Sequence, residues 1–478
     1  MKFLITFLLI SSTFLTYSQQ VKIYGTNKSY AGDELVFYKY EDRLSFKTKE
    51  LSTAKVDTSG YFEFFIEINE TQQAYVFLYV YKGYIYLEPN KEYEIMLPKK
   101  KQKTNKELLN PFFNEQSFTL RILNSEENEL NTAIKVFDYF YNLATIKILD
   151  NKYKSQYKIL VDSNITYLDT IFSELENEYF TNHKKYRYAN LRYTTYFRKN
   201  NLFIEKYFMQ QPVLYENTAY MSLFSEVFKN IFVYESDVVN LDFIYDAIRR
   251  RDFNLLKSVM MRNEYFKNEA FTELVILKGL YELFYKNPSS ELAVIKIFET
   301  MKTNASNEQN KLIASNLLEI ITKLRINNPA PKFELPNKKD KLVELEKYRK
   351  DFVYLNFYNP DSYACQQEII LLQKLYDEKH DNLKIVTIFI SEDIEEMKEF
   401  LKNNKAYKWD FLHCKMESQV LKDYEISVYP TYFLINPDGK LTLDSGLSPN
   451  DNFRELYKAE QKKWDKNSAT KNNTILGP

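Results

Sequence analysis

Cysteine is almost missing from this sequence: its 478 residues include two, Cys365 and Cys414. A chain of this length with a single pair of cysteines is not a disulfide scaffold. Histidine is nearly as scarce. His183, His380 and His413 are scattered without ligand spacing, so no metal site is expected, and no cofactor. Net charge is missing as well. Lysine plus arginine equal aspartate plus glutamate at 65 each, which leaves no global field to draw nucleic acid or an anionic membrane. The short basic run Lys99-Lys100-Lys101 with Lys103 reads as a solvated connector rather than a binding patch. Glycine is rare at 8 residues while tyrosine (40) and phenylalanine (36) abound, a skew that an AT-rich genome also produces and that assigns no function.

Beyond the first twenty residues no apolar run is long enough to cross a bilayer, so no transmembrane anchor is expected. Residues 1–18 read as a secretory signal. Lys2 supplies the positive start, Phe3 to Ile10 the apolar stretch, and Thr16-Tyr17-Ser18 the small residues at the positions a signal peptidase inspects. Cleavage before Gln19 is expected, and no cysteine stands there to carry a lipid. The mature protein is therefore expected to be exported, soluble and periplasmic. Forty-five per cent hydrophobic residues suffice for packed cores, and the length calls for more than one.

Three regions follow. Over 19–104 the apolar residues alternate in the period of strands, as in Tyr61-Phe-Glu-Phe-Phe-Ile66 and Ala74-Tyr-Val-Phe-Leu-Tyr-Val80, with turn signals at Ala31-Gly-Asp33, Asp57-Thr-Ser-Gly60 and Glu88-Pro-Asn90. The expectation is an N-terminal antiparallel β-sandwich. Over 105–327 the period becomes helical. Leu130, Ile134, Phe137 and Tyr141 share one face, as do Leu168, Ile171, Phe172 and Leu175, and Ser222–Val233, Phe253–Val259, Ala270–Phe284 and Leu292–Met301 also read as amphipathic helices. Pro212 and Pro288 mark breaks between helices. An extended, proline-bearing linker, Asn328-Pro-Ala-Pro-Lys-Phe-Glu-Leu-Pro336, opens a last region over 328–465 whose order is β-α-β-α-β-β-α, a mixed sheet with helices on both faces. Residues 466–478 read as a disordered tail.

In that last region Phe352 to Tyr358 reads as a buried strand. It breaks at Asn359-Pro360-Asp361, and a helix starts at Ser362 with Cys365 in its first turn. Sulfur at a helix N-terminus is the layout of thiol–disulfide chemistry, because unpaired N–H groups and the positive end of the dipole favour thiolate. Such chemistry uses two cysteines spaced C-x-x-C. Here the spacing stands as Ser362-x-x-Cys365, with a hydroxyl in place of the outer sulfur.

The lead-in Pro329-Ala-Pro-Lys-Phe-Glu-Leu335 and the phrase Tyr424-Glu-Ile-Ser-Val-Tyr-Pro-Thr-Tyr-Phe-Leu-Ile-Asn-Pro-Asp-Gly439 resemble the TlpA/ResA branch of the thioredoxin superfamily, which overlaps the alkyl hydroperoxide reductase (AhpC/TSA) type. The resemblance implies a C-terminal α/β thioredoxin fold, with Pro430 as a cis-proline facing the active-site helix, Tyr429 lining the groove, and Glu368 as a carboxylate near the cysteines. Upstream, Asp57-x-x-Gly60-x-Phe62 and Leu87-Glu-Pro89 with Tyr93-Glu-Ile95 resemble the β domain that precedes such domains in exported bacterial proteins. Where the family has W-C-x-x-C, this chain has Asp361-Ser362-Tyr363-Ala364-Cys365. Ser362 holds the position of the lost nucleophile, and a serine hydroxyl is un-ionised at neutral pH and cannot attack a disulfide. Cys365 holds the resolving position, where burial disfavours thiolate.

Three readings stay open. One is a redox-inactive module that binds a peptide, an exported protein or another ligand in the groove at Pro430. Another is a thiol–disulfide oxidoreductase acting through Cys365 alone or through a Cys365–Cys414 pair. Bridging that pair would close a loop of about fifty residues, worth roughly 4 kcal/mol on a chain-entropy model. In the third, a non-catalytic envelope component, the first two regions carry the function.

Overall fold

The structure, a computed structural model, describes residues 19–475 apart from 109, 111, 127, 152–156, 196–199, 237, 379–381, 417 and 444–446. The expected signal, 1–18, lies outside the described residues. Compactness divides the chain into two units, one of residues up to 102 with 114–320, the other of 103–113 with 321–478.

The first unit opens with strands β1 (Gln19–Thr26), β2 (Glu34–Tyr40), β3 (Thr48–Lys55), β4 (Tyr61–Ile68), β5 (Gln72–Leu78), β6 (Tyr81–Leu87), β7 (Glu92–Met96), β8 (Gln116–Thr119) and β9 (Arg121–Ile122). They form two sheets, ordered β4-β1-β7-β9 and β3-β2-β5-β6-β8. Alternation decides what is buried: in β4, Phe62, Phe64, Ile66 and Ile68 are buried while Glu63, Phe65 and Glu67 face outward. The inward residues of both sheets, among them Val21, Ile23, Phe37, Phe64, Val76 and Ile85, form one core. A sandwich was expected from this pattern. Its pairing differs in one respect, since β1 runs parallel to β7 and β6 parallel to β8, so the sheets are mostly rather than wholly antiparallel. Periodicity fixes which face of a strand is buried but not the direction of its neighbour. At the turn into β4, the Asp57 carboxylate accepts from the backbone N–H groups of Ser59 and Tyr61. Gly60 has φ +92°, and a Cβ there would lie 2.5 Å from the Lys28 backbone nitrogen, so no other residue fits.

Helices follow: α1 (Asn105–Leu108), which belongs to the second unit, then α2 (Leu130–Asp150), α3 (Tyr157–Ile171), α4 (Glu178–Thr195), α5 (Asn200–Tyr207), α6 (Thr218–Val227), α7 (Leu241–Arg249), α8 (Phe253–Met261), α9 (Glu269–Lys286), α10 (Glu291–Asn304) and α11 (Glu308–Thr322). Leu130, Ile134, Phe137 and Tyr141 are buried as their spacing demands. In α3 the buried stripe is Val161, Ile165 and Leu168 instead. Ile171 ends the helix exposed, and Phe172, beyond it, packs edge-on against Phe137 and Phe180. The stretch Ser222–Val233 is helical only to Val227; the helix starts earlier, where the Asn217 side chain accepts from the Tyr220 N–H. Strands and helices join through a buried amide. Asn131, at the start of α2, accepts from the Tyr86 N–H at 2.6 Å and donates to the Tyr86 carbonyl at 2.8 Å. Asn316 likewise donates to buried Asp42 at 3.0 Å. These polar contacts make one compact unit of two regions with different periods.

The second unit holds β10 (Glu334–Pro336), β11 (Leu342–Glu344), β12 (Phe352–Tyr358), α12 (Tyr363–Asp377), β13 (Leu383–Ile390), α13 (Ile394–Asn403), β14 (Asp410–Cys414), α14 (Gln419–Asp423), β15 (Thr431–Ile435), β16 (Leu441–Leu443) and α15 (Phe453–Ile475). Its main sheet has the order β14-β13-β12-β15-β16. β12 runs parallel to β13 and antiparallel to β15. Every residue of β12 is buried, and all but Asn356 are apolar or aromatic, so the strand reads as an apolar run. Its odd residues Val353, Leu355 and Phe357 pack in one core with α14 residues Val420 and Leu421. Tyr354 and Tyr358 face the other core, with Ile369 and Leu372 of α12, Met397 of α13 and Phe453 of α15. Helix α15 continues to Ile475, past the point where the sequence suggests a tail begins; no proline or glycine interrupts Lys466–Ile475. Among the described residues no helix is long and apolar enough to cross a membrane.

Candidate functional site

The C-terminal end of β12 delivers the chain to the N-terminus of α12. Ser362 caps this helix, with φ −84° and ψ 116°, its Oγ accepting from the Cys365 N–H at 3.4 Å. The same hydroxyl donates to the Tyr429 carbonyl at 3.3 Å. The Tyr429–Pro430 peptide is cis. Ser362, Cys365, Tyr429 and Pro430 thus lie at one place in the fold.

Cys365 is 1% exposed. Its Sγ accepts from the Asn359 N–H at 3.4 Å. Burial pushes the thiol up, against smaller opposing effects of that N–H and the Ser362 hydroxyl, and Glu368 adds to the rise. The helix terminus therefore does not make Cys365 a thiolate. Glu368, one turn along α12, accepts from the Tyr432 hydroxyl at 2.7 Å. Burial first, then that carboxylate, hold the Tyr432 phenol far above its usual range. Tyr354 stacks on Tyr432 at 5.3 Å and donates to the Leu447 carbonyl at 2.6 Å.

Cys414 ends β14 and is also buried, its thiol pushed up by burial. It packs in the core shared with Leu412 and Phe433, whereas Cys365 packs in the core on the opposite face of the sheet. Both thiols are free, and no disulfide joins them. Tyr429 lies against both cores, and burial together with the two sulfurs pushes its phenol up to about 12. Titration with Ellman's reagent is expected to find both thiols unreactive in the native protein on a timescale of minutes and two thiols after unfolding. Fewer than two in the unfolded, unreduced protein would mean that a bridge forms after all.

Two participants escaped the sequence reading. Tyr432 is one; its position two residues after Pro430 on β15 places it on the α12 face, a register visible only once β12 and β15 are paired. Asn359 is the other. It is fully buried, its side chain accepts from the Asp361 N–H at 2.9 Å, and its Nδ2 has no partner among the described residues. Among the described residues no cluster of histidine, cysteine and carboxylate could hold a metal.

The AhpC/TSA family matches residues 326–443, the stretch that contains this sheet and site. The C-terminal region is a thioredoxin-fold domain. It is similar to the thiol-disulfide oxidoreductase ResA of Bacillus subtilis, 32% identical over 114 residues, 23% of this chain and 62% of that protein. ResA of Bacillus thuringiensis is 28% identical over 139 residues, 28% of this chain and 79% of the relative. Among solved structures, the thioredoxin domain of a thiol-disulfide oxidoreductase from Bacteroides vulgatus is 23% identical, covering 28% of this chain and 98% of that one, with a TM-score of 0.26. This chain therefore spans under two thirds of the first of these relatives, and the thioredoxin-fold domain is about a quarter of its own length.

Proposed function

We propose that the thioredoxin-fold domain has lost dithiol turnover and serves as a binding module, taking an extended peptide or protein segment in the groove beside Pro430. The observation that carries this reading is the pairing of Ser362 at the mouth of α12 with a Cys365 that is 1% exposed and whose thiol is pushed up by burial. Dithiol exchange needs an accessible thiolate to attack and a second sulfur to release the product. The first is replaced by a hydroxyl, and the second is covered. What remains at the helix terminus is a donor–acceptor surface: the Ser362 hydroxyl, the Tyr429 backbone and the Tyr429 ring, suited to main-chain pairing with an extended segment. The basic and then apolar pattern of residues 1–18 supports export, so the partner would be another exported protein or peptide.

The test is insulin reduction by the wild-type protein and by Ser362→Cys. The wild type should give no rate above the dithiothreitol background. Ser362→Cys, which completes a C-x-x-C at an existing helix N-terminus, should raise the rate at least about tenfold over wild type, because a cysteine there gains the thiolate stabilisation that a hydroxyl cannot use. Clear turnover by the wild type would reject the reading.

A further inference from the structure

Tyr429 is also one wall of a cavity of about 460 Å³ in the second unit. That cavity is not a feature of the thioredoxin fold alone. One side is α14 with the loop that leads to Tyr429; the other is the segment 103–113, which lies more than two hundred residues upstream in the sequence yet belongs to the same compact unit. The segment is locally organised. Thr104 and Glu107 form a reciprocal cap, the Glu107 carboxylate accepting from the Thr104 N–H at 2.8 Å and from its hydroxyl at 2.9 Å, while the Glu107 N–H reaches the Thr104 hydroxyl at 3.3 Å. The Lys103 ammonium lies 4.9 Å from the Phe113 ring centroid.

Leu108 and Phe113 face Leu421, Ile426 and Tyr429 across the cavity, and these apolar groups can accept a branched aliphatic side chain. The rim carries two cations, Lys103 and Lys422, and two carboxylates, Glu107 and Glu425. Glu107 is engaged by Thr104, and Glu425 lies 4.0 Å from Lys323. Lys422, exposed on α14 and lining the same cavity, has no ion pair among the described residues. A cation without a partner beside an apolar cleft is complementary to a carboxylate placed next to an apolar anchor.

We infer that the partner of the groove is an extended peptide in which an aliphatic residue fills this cavity and the acidic residue after it meets Lys422. The inference rests on the binding reading above, and it gives that reading a sequence preference. Lys103, Glu107, Leu108, Asn110 and Phe113 then form a specificity wall from outside the thioredoxin-fold stretch.

The experiment uses fluorescence anisotropy of the full chain with three fluorescein-labelled octapeptides, alike except for a central Leu-Glu, Leu-Lys or Gly-Glu. Leu-Glu should bind at least about tenfold more tightly than Gly-Glu, the scale of burying one leucine side chain. It should bind about threefold to fivefold more tightly than Leu-Lys, the scale of one exposed ion pair. In Lys422→Glu, at an exposed position of α14, the order of Leu-Glu and Leu-Lys should reverse. If peptides bind but the wild type shows neither preference, or Lys422→Glu leaves the order unchanged, the inference fails and the binding module stands. If none of the peptides binds, both fall.

Discussion

Between pH 10 and 12 the first unit is expected to unfold cooperatively, with the absorbance of phenolate at 295 nm rising in step with the loss of helical circular dichroism. The cause is the tyrosines. Tyr30 and Tyr186 are buried, and burial, the largest influence on each, pushes them up to about 12. Tyr75, Tyr93 and Tyr188 are pushed higher still by the same cause. The hydroxyls of Tyr30, Tyr75 and Tyr188 have no hydrogen-bond partner among the described residues. In the unfolded chain a phenol releases its proton near pH 10. The folded chain therefore holds more protons between the unfolded and folded values, so stability is intact below about pH 10 and falls as pH rises through that window. Each such phenol removes up to about 3 kcal/mol by pH 12. Two or three together match the whole stability of an ordinary domain. A gradual phenolate titration centred near pH 10, with circular dichroism unchanged to pH 12, would show that these rings are not sealed.

Glu273→Ala should destabilise the first unit by about 3–5 kcal/mol, the cost of removing one member of a buried charged network. Glu273 on α9 is 0% exposed. Its carboxylate accepts from the Ser306 N–H at 2.8 and 3.1 Å, the Ser306 hydroxyl at 2.8 Å, the Asn310 amide at 3.2 Å and the Lys257 ammonium at 3.1 Å. Ser306 and Asn310 flank the start of α11, so this one side chain fixes where that helix begins. Alanine would take the acceptor from the Ser306 N–H and hydroxyl and leave the Asn310 amide only the Ala270 carbonyl and Lys257 only Glu269. Glu273→Gln, which keeps the shape and one acceptor oxygen, should cost roughly half as much. Urea titration followed by circular dichroism measures both. An alanine variant with the wild-type midpoint would contradict the network's role.

The thioredoxin-fold domain was legible because its sequence carries signals of more than one kind. β12 is apolar or aromatic at every position but Asn356, Pro329 to Leu335 marks the entry, and Tyr429-Pro430 immediately precedes the apolar run of β15. Each constrains the chain locally, so each can be read locally. What stayed hidden depends on pairing between distant segments. Glu368 was visible but its partner Tyr432 was not, since their contact needs the β12–β15 register. The parallel pairings of β1 with β7 and of β6 with β8 were invisible for the same reason. Asn131 looked like an ordinary polar residue near a helix start, although its amide ties α2 to Tyr86. Lys103 was read as part of a solvated connector. Its place in the second unit is set by side chains more than three hundred residues away, which no window along the sequence can show.

That placement bears on how the protein can be dissected. A shortened polypeptide beginning near Ile321 would keep β10 through α15 and both cores, and would fold into something recognisable as its relatives' domain. It would also leave behind Leu108 and Phe113, and with them one of the two walls of the cleft at Tyr429. Binding surveys made on such a fragment would sample an open ledge where the intact chain has a cleft walled on both sides, and would undervalue any guest that needs both walls.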